Sequence, residues 1–368
     1  MPIAGPPPTS CLAIGSLLPL GSTSAEAPVK QNRRHGPLID FLASPGPFNT
    51  SEPSTPLTVA MIDNVRASGI TAVNLTVDGE SVEEVFRNLG RWNGQIAAYP
   101  DALAAIRNWN DLARANQLGQ LGLIYGFQDP VSIGTDLSRV ELFHQFGVRV
   151  IQLTYNTRNL YGDGCLEPSN GGLTRLGHGL IEELNARKTI IDLSHCGQRT
   201  TTESIQRSKA PVAISHTGCR SLVNLPRNKS DDELRQLADR GGVAGMYLMP
   251  FLTVGAAPSA TDLLRHIDHA VQVCGEDHVG IGSDLSISPH IVTAEYRSAH
   301  RAFVIARQKA GVAAPGEDPD VFMFIPDLNT PTRLLVIADL LHGRGYSDSR
   351  IEKIIGGNCA RLLRDIWQ

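Results

Sequence analysis

One repeated unit constrains this chain more than any other feature. A short apolar, β-branched run is followed by a polar loop and then by a stretch with 3.6-residue periodicity. Eight such runs are counted, at residues 38–42, 71–77, 121–127, 148–154, 189–195, 212–216, 243–248 and 279–284. The intervening segments read as helices. Residues 100–117 place Leu103, Ile106, Leu112 and Ala113 on one face, and residues 176–187 do the same with Leu180, Ile181 and Leu184. Ser230-Asp231-Asp232-Glu233 has the form of a capping box, and Thr330-Pro331 opens a further helix that Gly345 follows. Continuous apolar strands that alternate with amphipathic helices imply a parallel sheet covered by helices. Eight of them over about 250 residues fit a closed (β/α)₈ TIM barrel. An open doubly wound sheet is disfavoured, because no Gly-x-Gly-x-x-Gly turn follows a strand.

Composition bounds the function. Of the 368 residues, 42% are hydrophobic and 19% charged, enough to bury a large core. A net charge of −4 without a basic block argues against nucleic-acid partners and a polybasic membrane anchor. No apolar run reaches the roughly 20 residues of a membrane span. Six scattered cysteines without a Cys-x-x-Cys pair exclude a disulfide scaffold and a zinc ribbon.

Residues 1–34 are rich in Pro, Ser, Ala and Gly and read as a disordered leader, with a single barrel and C-terminal helices over 35–368. Residues 11–20 and the Ala25-Glu26-Ala27 triplet have a signal-like character. No basic residue precedes them, and Gly15 and Pro19 interrupt the apolar stretch, so a cytoplasmic location is favoured over export.

In a barrel of this kind the chemistry gathers at the carboxyl ends of the strands. Those ends carry Asn74, Gln128, Tyr155, Asn156, His195, His216, Tyr247 and Asp284. Two histidines on consecutive strands suit a metal such as zinc, iron or copper. Arg227-Asn228 follows His216, and an arginine there can hold a carboxylate through two parallel hydrogen bonds. Asp284 ends a Gly-Ile-Gly-Ser-Asp run and suits a proton shuttle or a ligand. Cys196, Cys219, His266 and His269 are read as structural, and His35 and His144 have no partner.

The stretches Ile191-Asp-Leu-Ser-His195, Pro211-Val-Ala-Ile-Ser-His216, Arg227-Asn228, His278-Val-Gly-Ile-Gly-Ser-Asp284 and Ile355-Gly-Gly-Asn358 together resemble the membrane (renal) dipeptidase family. The resemblance implies a metal-dependent hydrolase barrel, a homodimer, and hydrolysis of dipeptides at a two-zinc centre. It also implies that His195 and His216 bind the second metal, that Arg227 holds the substrate carboxylate and that Asp284 assists proton transfer. Tyr155 stands where the family has a substrate-binding histidine, with Asn156, Asn228 and Gln128 beside it in the substrate site.

The departures from the family pattern all remove metal donors. The family's Asp-x-His-x-Asp run reads Asp40-Phe41-Leu42-Ala43-Ser44 here, and the bridging glutamate falls on Gln128. Leucine has no lone pair, serine offers a neutral hydroxyl, and glutamine cannot bridge two dications as a carboxylate does. The expectation is therefore a dipeptidase-like hydrolase with at most one zinc or other divalent ion, on His195 and His216, acting on a small molecule with a carboxylate. The alternatives are a metal-free enzyme of secondary metabolism that uses His, Asp and Tyr as acid–base groups, and a non-catalytic ligand-binding relative.

Overall fold

The computed structural model describes residues 36–48 and 56–368. The signal-like stretch of the leader and His35 lie outside the described residues.

Among the described residues eleven strands form, all pairing in parallel: β1 (Ile39–Asp40), β2 (Ala43–Ser44), β3 (Ala72–Thr76), β4 (Leu103–Ala105), β5 (Leu121–Phe127), β6 (Val148–Gln152), β7 (Ile190–Asp192), β8 (Ala213–Thr217), β9 (Val243–Met246), β10 (Val279–Ile281) and β11 (Leu285–Ser286). Eight of them close a ring in the order β1, β3, β5, β6, β7, β8, β9, β10 and back to β1. The eight apolar runs thus become the eight staves of a (β/α)₈ barrel. Strands β2 and β11 form a two-stranded extension of the first and last staves, pairing Ala43 with Leu285 and Ser44 with Ser286.

One sequence expectation needs correction. Residues 100–117 do not form one helix: Leu103–Ala105 is β4, paired with Leu121–Leu123 of β5. The helix starts only at Trp109, where the Asn108 side chain accepts from the Asp111 amide at 3.0 Å and caps it. Leu103 and Ile106 are buried as expected, but by strand pairing and its continuation. The other helices follow their sequence signals. Arg175–Ala186 buries Leu180, Ile181 and Leu184, and Ser230 with Glu233 makes a reciprocal capping box for Asp231–Asp239. Helix Arg333–Gly343 begins after Pro331, with Thr332 as its cap, and Gly345 past its end adopts φ 90°.

The amino ends of the barrel are sealed from within the chain. Ile39, Ala72, Ile190, Ala213 and Val243, each the first residue of its strand, pack in one apolar cluster with Cys359, Leu362, Leu363 and Ile366 of helix Asn358–Trp367. The carboxyl ends remain for chemistry. A groove of ≈ 570 Å³ beside this helix involves Lys188, Arg207, Lys209, Asp365 and Gln368, and two of its three cations are already engaged. Arg207 meets Glu182, and Lys188 donates to the Gln368 carbonyl.

Two glycines allow the staves next to His216 to close up. A Cβ on Gly282 would lie 1.9 Å from the Ser215 carbonyl oxygen, and one on Gly245 would lie 2.1 Å from it. No side chain fits there. Beneath the site, Asp40 is fully buried, accepts from the Ser283 amide at 2.7 Å, and shares the core with the buried Arg333. Burial pushes the Asp40 carboxyl up to about 6, against the opposing pull of Ser283 and Arg333.

Two outcomes follow from these contacts. Gly282→Ala displaces the Ser215 backbone and destabilises the fold by about 3 kcal/mol or more, read by urea denaturation. Because the native Asp40 pKa is raised, the folded state binds more protons than the unfolded one between the two pKa values. Asp40 therefore costs stability as pH rises from about 4 to about 6. Asp40→Asn flattens that part of the stability–pH curve, and a curve identical to that of the unsubstituted protein counts against the assignment.

Candidate active site

The site is built on β6, β7 and β8. Asp192, the last residue of β7, is buried and organises the turn beyond it. Its Oδ1 accepts from the Ser194 amide at 3.1 Å, the Ser194 hydroxyl at 2.6 Å and the Ser215 amide at 2.9 Å. Its Oδ2 accepts from the Ser215 hydroxyl at 2.5 Å. Ser194 Oγ in turn receives the His216 amide at 3.0 Å, which locks the two histidine-bearing segments together. Burial raises the Asp192 pKa, and these serine bonds oppose the rise by stabilising the carboxylate.

This network assigns the ring protons. Both serine hydroxyls donate to Asp192, so the Ser215 oxygen, 2.8 Å from His216 Nδ1, is left as an acceptor and Nδ1 carries the hydrogen. On the other ring, Asn156 donates its Nδ2 to the Val312 carbonyl at 2.9 Å, which turns its Oδ1 to His195 Nδ1 at 2.6 Å. His195 is therefore also protonated at Nδ1. Both Nε2 lone pairs then face each other across 2.9 Å. Two lone pairs at that separation repel unless a cation lies between them.

Arg227 stands beside the pair. It is only 2% exposed, donates from Nη1 to the Ser194 carbonyl at 3.0 Å, and leaves Nη2 buried without a partner. Its guanidinium carbon lies 5.9 Å from the Tyr247 ring centroid and 6.0 Å from that of Phe251. Burial, and then the charge of Arg227, hold both imidazoles well below the usual histidine range, so both are neutral near pH 7. Tyr155 stacks on His195, with centroids 4.1 Å apart and planes 23° apart. Asp284 adopts φ 63° and donates its amide to the Leu42 carbonyl at 2.8 Å.

Tyr155, Asn156, His195, Arg227 and Asp284 line one narrow cavity of ≈ 20 Å³ together with Met249, Phe251, Phe303, Arg307, Glu317 and Met323. Most of the residues singled out in the sequence thus meet. Gln128, Asn228 and His216 are not among the lining residues, and His216, fully buried, reaches the site only through His195. The Gln128 amide donates to Thr76 Oγ1 at 2.9 Å. Asn228 donates to the carbonyls of Val223 and Phe251 at 2.7 and 3.0 Å and accepts from Tyr247, so it braces the loop that carries Arg227. The sequence reading missed the contributions of Asp192, Ser194 and Ser215, although the repeated Ser-His pairs at 194–195 and 215–216 are their visible trace. It also missed Arg307 and Glu317, which no periodicity or spacing marks.

On the first-metal side, Leu42 is buried, Ser44 Oγ already accepts from the Gly46 amide at 3.1 Å, and Gln128 turns to Thr76. These residues do not fit an ion. On the other side, the convergent Nε2 atoms of His195 and His216 do. A tetrahedral zinc roughly 2.0–2.1 Å from each nitrogen sets them about 3.3 Å apart, a small outward adjustment. Among the described residues no cluster of three or more His, Cys, Asp and Glu side chains surrounds a common point. Further ligands there would come from water or substrate.

The family model of the membrane dipeptidases (peptidase family M19) matches residues 60–304. Dipeptidase verJ of Clonostachys rogersoniana is 28% identical over 78% of this chain and 66% of its own length. Dipeptidase tcpJ of Claviceps purpurea is 27% identical over 78% of this chain and 60% of its own. The chain thus spans 60–66% of the length of these two relatives. Among solved structures, an amidohydrolase from Pseudomonas aeruginosa superposes with a TM-score of 0.76 at 30% identity, covering 90% of this chain and 96% of that one. A metallo peptidase from Rhodobacter sphaeroides, liganded with a phosphinate mimic of L-Ala-D-Ala, superposes with a TM-score of 0.72 at 19% identity, covering 90% and 100%. No helix among the described residues is long and apolar enough to cross a membrane. With a closed eight-stranded barrel and a family match over most of its length, this chain is a hydrolase-fold member of the membrane dipeptidase family of metallopeptidases.

Proposed function

We propose that the protein hydrolyses dipeptides or dipeptide-like small molecules with a free carboxylate, and that it holds one divalent metal ion, on His195 and His216, and no second. One observation carries the reading: Arg227, which lines the cavity with His195 and Asp284, keeps a buried Nη2 without a partner. A desolvated guanidinium nitrogen without an acceptor is costly, and a substrate carboxylate removes that cost. The dipeptidase names of the fungal relatives support the same substrate class.

Each residue has a physical task. Arg227 takes the carboxylate, and the rings of Tyr247 and Phe251 keep its guanidinium in place and dry. Asn156 and Ser215 fix the two imidazoles with their lone pairs converging, and Tyr155 covers one face of His195. The metal, when bound, acts as a Lewis acid that polarises a carbonyl and makes water a better nucleophile. Asp284, in the turn between β10 and β11, lines the cavity, and it accepts a proton from the attacking water and returns it to the leaving amine.

The 2.9 Å between the Nε2 atoms is also the length of an N–H···N hydrogen bond, which favours a second reading. In it a shared proton replaces the metal, and His195, His216, Asp284 and Tyr155 act as acid–base groups on another small carboxylate.

Elemental analysis of protein purified without added metal separates the two. One equivalent of metal per chain, lost in His195→Ala and in His216→Ala, is the expected result. Two equivalents overturn the one-ion proposal, and metal-free protein with turnover establishes the second reading. In steady-state assays, Arg227→Gln lowers kcat/KM for a dipeptide about 100-fold and leaves the much poorer hydrolysis of its C-terminal amide nearly unchanged. Equal losses on both substrates rule Arg227 out as the carboxylate clamp.

A further inference from the structure

The side of the cavity facing away from the barrel strands comes from helix Ala294–Lys309 and the loop after it, through Phe303, Arg307, Glu317 and Met323. Arg307 donates from Nε and Nη2 to the two oxygens of Glu317 at 2.6 and 2.9 Å, a bidentate pair with a nearly buried carboxylate. The loop is folded around this pair. Ala314 donates its amide to Glu317 Oε1 at 2.9 Å, Gln308 Nε2 donates to the Glu317 carbonyl at 3.1 Å, and Val312 donates its amide to the Arg307 carbonyl at 3.1 Å. The charge of Arg307 also acts on the Tyr155 hydroxyl.

What this fold of the loop delivers to the barrel is the Val312 carbonyl. It lies 156 positions along the chain from Asn156 and accepts the Asn156 Nδ2 hydrogen. That acceptor, together with the Cys165 thiol that donates to Asn156 Oδ1 at 3.4 Å, sets the orientation of the amide. Without it the amide can flip and present NH₂ to His195 Nδ1, which drives the ring proton to Nε2 and removes the lone pair that meets His216.

We propose that Arg307 and Glu317 are positioning residues, whose ion pair holds Val312 against Asn156 and so sets which nitrogen of His195 is presented to the reaction centre. The assignment rests on the site proposed above, but not on what that site hydrolyses.

The test is nitrogen-15 NMR of histidine-labelled full-length protein, with kcat and KM measured beside it. The unsubstituted protein shows His195 protonated at Nδ1. Arg307→Ala and Glu317→Gln give an Nε2-protonated or mixed pattern, and kcat falls about 10–100-fold with KM nearly unchanged. Arg307→Lys restores part of kcat, since it keeps the charge and loses the fork. A folded variant that retains the Nδ1 pattern overturns the proposal whatever its activity. Should Arg307→Ala fail to fold, Glu317→Gln, which preserves shape, gives the same reading. If no dipeptide is turned over by the unsubstituted protein, the hydrolytic reading falls and the spectrum still decides the positioning role.

Discussion

Two imidazole nitrogens with their lone pairs turned towards each other are an arrangement that proteins do not tolerate idly. Every strong contact at the mouth of this barrel serves to maintain it. Asp192 fixes Ser215, Ser215 fixes the proton of His216, and Asn156 fixes that of His195. The surroundings are cationic, with Arg227 the strongest charge acting on both rings. Desolvation and these charges together disfavour protonation of either ring.

The rigidity that this arrangement needs comes from the barrel itself. His216 lies within β8 and His195 three residues beyond β7, so neither depends on a long loop. Gly245 and Gly282 let neighbouring strands close on the Ser215 carbonyl to a distance that no other residue allows. The more adaptable elements, helix Ala294–Lys309 and its loop, touch the imidazoles only through Asn156 and Tyr155. Chemistry rests on the staves, and adjustment on the cover.

Much of this was legible in the sequence, for physical reasons. Parallel strands buried on both faces must be apolar throughout, so the eight runs stood out, and their ends named His195, His216, Asp284 and the Tyr155-Asn156 pair. Strand β4 was hidden because three residues, Leu103–Ala105, carry no readable alternation and precede a real helical pattern. Gln128 and Asn228 were placed in the substrate site by position along the chain. Only coordinates show that both spend their amides on internal partners. Arg307 and Glu317 left no trace, since an ion pair closing a loop has no period and no fixed spacing. The tautomer of His195 lay out of reach for a related reason: it is set, through Asn156, by a backbone carbonyl, which every residue possesses.

The backbone at Asp284 carries a further implication. Its φ of 63° lies in the left-handed region, where a side chain costs roughly 1 kcal/mol relative to glycine. Glycines already flank this turn at 280 and 282, and one more would relax it. The chain instead bears the torsional cost of a carboxylate at the spot where the barrel opens. Here the sequence gives up ease of folding in exchange for an acid, which sets local limits on how far the domain can be stabilised without dulling its chemistry.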